Sequence, residues 1–182
     1  ATMHPAYFAL VMATGIVSIA CYLLGFASLA VALLWANTAF YPILWILTAL
    51  RVHRYRHRVI ADLTHHGRAV GFFTIVAATS ILGSQWFVIV DAWRIALWLW
   101  IATIILWAAT TYVVFTLLTV KAQKPSLDEG INGGWLVSVV AAQSVSVLGT
   151  QLAPGFGERA PSVLFFCLVM WLGGGMLYIW II

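Results

Sequence analysis

Long apolar runs, broken by short polar links, set the pattern of this chain. Six runs are long enough to span a bilayer: Ala6 to Leu24, Leu29 to Leu50, Ala69 to Val90, Ile95 to Val120, Trp135 to Leu152 and Ser162 to Ile182. Each lies near the ~20 residues that a ~30 Å hydrocarbon core requires. None contains Asp, Glu, Lys, Arg or His. A membrane barrel would alternate apolar and polar residues over ~10-residue segments, whereas these runs are apolar all round, so they predict helices.

The runs repeat in pairs. Aligning Tyr7 to Ile16, Phe72 to Ile81 and Leu136 to Val145 puts Val11, Val76 and Val140 in one column and Ala13, Ala78 and Ala142 in another. Two further columns hold only small residues: Ala9, Thr74 and Ser138, then Gly15, Ser80 and Ser144. Small residues four apart let helix backbones approach closely in lipid. Trp45, Trp107 and Trp171 match in the second member of each pair, and the repeat period is about 64 residues. The expected architecture is all-α and polytopic, with six transmembrane helices as three hairpins of one orientation, covering about 5–66, 67–131 and 132–182 of a single domain 1–182. Parallel repeats of this kind are related by an axis along the membrane normal.

Composition supports the membrane reading: 64% of residues are hydrophobic and 8% charged, with mean hydropathy +1.03, against about 25% charged in soluble domains. Cys21 and Cys167 both sit in apolar runs and imply no disulfide framework. No positively charged leader precedes the first run, so no removable signal peptide is expected.

The charges are distributed by loop. Arg51 to Arg68 holds five arginines and four of the five histidines, and Lys121 to Gly134 holds Lys121 and Lys124. The links Asp91 to Arg94 and Pro154 to Pro161 carry one basic residue each. The positive-inside rule then places the two basic links and the N-terminus in the cytoplasm of a cell (plasma or inner) membrane protein, with seven of nine Lys and Arg obeying it. Topology explains the net charge of +4 without nucleic acid. The sixth span stops at Ile182 inside an apolar run with no basic anchor, so the chain is expected to be part of a longer protein.

Uncharged polar groups collect on the odd spans, and the even spans lean to Leu, Trp and Ile. Odd helices inside and even helices outside keeps those groups away from lipid. Thr14, Gly15, Ser18, Thr79, Ser80, Gly83, Ser84, Gln143 and Ser144 are the candidate pore-lining residues. A pore of hydroxyls, amides and glycine-exposed backbone offers hydrogen bonds without fixed charge, so an anion sheds part of its water and still leaves quickly. The alternative for each residue is that its hydroxyl bonds the preceding turn or glues neighbouring helices.

His53, His57, His65 and His66 support a second class of function, a membrane-embedded metal enzyme, because histidines at i and i+4 share a helix face. Five arginines crowd the same segment and would oppose a cation, so a solvated basic loop is the preferred reading, with neither catalysis nor cofactor expected. A third reading is a non-transporting scaffold.

Three motifs, H-P-A-Y-F-A-L-V-M-A-T-G-I-V-S from His4, G-F-F-T-I-V-A-A-T-S-I-L-G-S-Q from Gly71 and G-I-N-G-G-W-L-V-S-V-V-A-A-Q-S-V-S-V-L-G from Gly130, resemble the tellurite-resistance and C4-dicarboxylate transporter family. That family also includes the plant guard-cell slow anion channels and the fungal malate and sulfite transporters. The resemblance implies ten helices in five hairpins around a central pore, usually assembled as a trimer, passing small anions. This chain supplies three hairpins. The family's pore-plugging phenylalanine lies on a ninth helix that is not among them, so no gate role passes to Phe8 or Phe73.

Overall fold

The computed structural model describes residues 4–121, 130 and 132–182. The second basic link, Lys124 included, lies largely outside the described residues.

A short 3-10 turn, Pro5–Phe8, begins the first pass, with His4 Nδ1 accepting from the Ala6 amide at 3.1 Å. It leads into α1, Ala9–Leu23. At the end of α1 the chain reverses on Gly25, whose φ of 87° is left-handed. There the Phe26 amide donates to Cys21 O at 2.8 Å and the Gly25 amide to Tyr22 O at 3.1 Å. This pairing satisfies the last carbonyls of the helix, and glycine takes the conformation without a Cβ penalty. α2, Ala27–Arg54, runs back. After the basic segment come α5, Phe73–Val90, and α6, Trp93–Val120, joined by a turn at left-handed Asp91. The last pair is Leu136–Leu152 and Ala160–Ile181, named α7 and α8. Between them, Gly157 at φ 55° and ψ −122° breaks the helix. The stretch Gly133–Ile181 spans 49 residues, about 73 Å at 1.5 Å per residue, more than twice a hydrocarbon core. The break therefore makes it two passes, and the described residues carry six long apolar helices.

Each long helix packs most heavily on its hairpin partner, α1 on α2, α5 on α6 and α7 on α8. The first members also pack on one another, α1 on α5 and α5 on α7, which gives an inner row backed by α2, α6 and α8. The middle helix has neighbours on both sides: its most apolar window is 67% buried, against 22% or less for the other spans. Phe73, Val76, Val114, Ala142, Val145 and Met170 share one core cluster. Tryptophans lock outer helices to inner ones, since Trp100 Nε1 on α6 donates to Val145 O on α7 at 2.9 Å.

The segment Arg51 to Arg68 is not an irregular loop. Arg51–Arg54 continue α2, Tyr55 breaks it at φ −135° and ψ 45°, and α3, Arg56–Leu63, and α4, His66–Ala69, follow. Asp62 organises this elbow. It is buried, pairs with Arg51 from the end of α2, and forms an ion pair with Arg68 of α4, whose Nε lies 2.9 Å from Oδ1. Lys121 Nζ donates to Thr64 O at 3.1 Å, which joins the start of the second basic link to the first.

Removing the Asp62 carboxylate would leave Arg51, whose side chain is 9% exposed, without its counter-ion. Loss of one member of a buried pair costs roughly 3–5 kcal/mol, and the lower end applies here because Arg68 stays in contact with water. Asp62→Ala should lower the thermal unfolding temperature of the purified protein, and Arg68→Gln should lower it much less. Equal effects would show that Arg51 does not depend on this contact.

Candidate functional site

The inner row leaves an open groove of about 410 Å³ between α1, α5 and α7. Ile16 and Ile19 line it from α1, Ser80, Ile81 and Ser84 from α5, and Val140, Gln143, Ser144, Val147 and Gln151 from α7. The α7 residues fall at helical spacing, so they form one continuous stripe. No lining residue is charged.

The hydroxyls differ in what they have left to offer. Ser80 Oγ donates to Ser144 O at 2.6 Å, joining α5 to α7, and Ser144 Oγ donates to Ala141 O at 2.8 Å. Both protons are therefore committed to backbone. Ser84, Gln143 and Gln151 make no side-chain hydrogen bond among the described residues, and Gln151 Oε1 is buried without a partner. The uncommitted donors facing the groove are thus one hydroxyl and two amides, set in walls of Ile and Val. Such a surface can exchange hydrogen bonds with a partly dehydrated anion without trapping it.

Four of the nine sequence candidates, Ser80, Ser84, Gln143 and Ser144, come together in this groove. The other five do not join them. Gly15 sits where α1, α2 and α5 meet: an added Cβ would lie 2.3 Å from Ile81 Cγ2 and 3.1 Å from both Asn37 Nδ2 and Gln85 Oε1. Ser18 Oγ donates to Ala30 O at 2.8 Å, across the first hairpin. Thr79 Oγ1 bonds Ile75 O at 2.7 Å and the Tyr41 hydroxyl at 2.8 Å. Gly83 faces Leu148 and Leu99, at 2.5 Å and 3.3 Å from an added Cβ. Thr14 is half-buried on α1 and does not line the groove.

Two groups are new to the picture. Gln151 joins the groove one turn beyond Val147 and could have been found as the third polar position of the α7 stripe. Asn37, on an outer span, is fully buried; its Nδ2 donates to Val11 O at 3.0 Å and to Gln85 Oε1 at 2.5 Å. A lone Asn in an apolar run was the available signal, because an unsatisfied amide in hydrocarbon is costly and must turn inward.

The histidine spacing loses its premise in three dimensions. His53 lies on α2 and His57 on α3, and the break at Tyr55 means that they no longer share one helix face. Among the described residues no three of His, Cys, Asp and Glu converge on a common point.

Six apolar passes, an inner row of polar and small residues and an uncharged, largely apolar groove that carries a few polar groups define a polytopic helical membrane protein of the conduit class. Comparison with protein families makes this specific: the model described as voltage-dependent anion channel matches residues 2–182, and the chain belongs to that family. Its members are anion channels and transporters rather than enzymes. No curated protein and no solved structure matches the chain.

Proposed function

We propose that small anions pass along the groove between α1, α5 and α7, with Ser84, Gln143 and Gln151 as the hydrogen-bond donors and Ser80 and Ser144 shaping its wall. The observation that carries this reading is an uncharged stripe on α7, in which Gln143, Ser144 and Gln151 stand among valines, that lines an open groove. Substrates in keeping with the resemblance are C4-dicarboxylates such as malate, or tellurite, sulfite and other inorganic anions. The same resemblance supports a trimer in the plasma or inner membrane, with the hairpins as sectors of a larger ring.

Thiol labelling tests the assignment. Cysteine at Gln143 should react with a membrane-impermeant, water-soluble thiol reagent in the reconstituted protein, and cysteine at Gly83 or Trp107 should not. Labelling at Gly83 with none at Gln143 would overturn the groove as an aqueous path.

An orientation follows, with the N-terminus and the elbow in the cytoplasm. What supports it is that the two basic links share one end of the bundle, as the contact of Lys121 with Thr64 illustrates, and basic residues are retained on the inner side. A reporter active only in the cytoplasm, fused after Arg58, should be active, and a silent fusion would reverse the topology.

A further inference from the structure

The elbow at α3 combines features that neither transport nor packing requires. Between positions 51 and 68 the chain has five arginines and one carboxylate, Asp62. That carboxylate is turned inward onto Arg51 and Arg68. Arg54, Arg56 and Arg58 are exposed, and His53 and His57 stand beside them. The resulting outward surface is basic with no acidic group of its own segment on it. Apolar side chains share that surface: Ile60 is 59% exposed and Val52 44%. Ile60 lies four residues after Arg56 and three after His57, hence on the same face of α3. The opposite face holds buried Asp62, and Leu63, at the end of α3, packs against the core around Val70 and Phe73.

The depth of this face is set by α2. Its 28 residues rise about 42 Å, some 12 Å more than a hydrocarbon core, so its last turn emerges among headgroups. The Asp62 pairing with Arg51 holds α3 against that last turn. Tyr55 marks the bend, with the Arg58 guanidinium 5.6 Å from its ring centroid, and tyrosine is at home at this level. Charge alone would suit an acidic protein segment equally well. Isoleucine and valine exposed among the arginines, at headgroup depth, favour a bilayer interface, which takes basic and apolar groups on one helix face.

We propose that the α2–α3 elbow is a docking face for anionic phospholipid headgroups of the adjacent leaflet, with Arg54 and Arg56 meeting the phosphates and Ile60 entering the interface. Docking there would couple the basic end of the first hairpin to the lipid composition around it.

The test uses the full chain with both native cysteines replaced by alanine and an environment-sensitive fluorophore attached through Ile60→Cys. It is reconstituted in phosphatidylcholine vesicles and in vesicles that also contain phosphatidylglycerol. Emission should shift to the blue in the anionic vesicles and return when salt is raised to about 1 M, where screening extends only ~3 Å. The double variant Arg54→Gln, Arg56→Gln should abolish the shift, and Arg54→Lys, Arg56→Lys, which keeps the charge, should retain most of it. Identical emission in the two vesicle types would overturn the proposal. So would an equal shift in phosphatidylcholine vesicles on adding inorganic phosphate or polyglutamate, which would assign the face to a soluble anion or to an acidic protein segment.

Discussion

Gly15→Leu should destabilise the protein by roughly 3 kcal/mol or more, and whatever fraction still folds should conduct normally. Overpacking a filled contact costs about 1–3 kcal/mol, and this contact is tighter than usual. The first side-chain atom alone would meet Ile81, Asn37 and Gln85, the nearest at 2.3 Å. Making room means separating α1 from α2 and α5, which would pull Asn37 from Val11 O, a bond buried in an apolar surround, and crowd the Asn37–Gln85 pair beside it. Gly15→Ala should do proportionately less harm, because rotation of Ile81 relieves much of its clash. Thermal unfolding in detergent and anion flux per folded protein in liposomes, measured on the same preparations, check this. An unchanged unfolding temperature with abolished flux would move Gly15 from the helix contact to the conduit.

Ser144→Leu should do the reverse, with flux falling about tenfold or more and stability changing little. Ser144 is half-buried, its hydroxyl returns to its own helix at Ala141 O, and its side chain faces the groove. Leucine would remove no bond between helices, and its branch would stand in the path next to Gln143 and Ser84. Loss of favourable contacts with a partly dehydrated anion worth about 1.5 kcal/mol raises the barrier enough for that tenfold effect. Ser80→Leu is the informative contrast. Ser80 is buried and its hydroxyl bridges α5 to Ser144 O, so this change should impair both folding and flux. Normal flux through a stably folded Ser144→Leu would show that anions do not use this groove.

These two residues share a column of the repeat with Ser80, and their separation shows where sequence reading stops. In each hairpin the same position must be small, but smallness serves two ends. A small side chain lets backbones approach, and it also leaves space beside a path. Which end it serves depends on what stands opposite. Beside Gly15 stand Asn37 and Gln85, and beside Ser144 stands open groove. The valine column divides in the same way: Val11 and Val76 are fully buried, whereas Val140 is 42% exposed. The partners of Asn37 were likewise beyond the pattern: a lone Asn in an apolar run marked the residue, but Val11 O and Gln85 come from distant parts of the chain.

What the sequence determined by itself is the number of passes, their pairing into hairpins and the division into polar inner and apolar outer helices. A bilayer is a nearly uniform solvent, so span length and polarity along the chain decide these without knowledge of neighbours. Gly25 belongs here too, because the reversal after α1 is a local matter of backbone conformation. The tertiary structure alone decided how three similar hairpins became unequal. α5 lies between two neighbours and is buried along most of its length, whereas α1 and α7 each keep a free side toward the groove. Equivalent sequence positions thus acquired different surroundings, and in a close-packed bundle it is the surroundings that decide whether a serine or glycine holds helices together or borders the path.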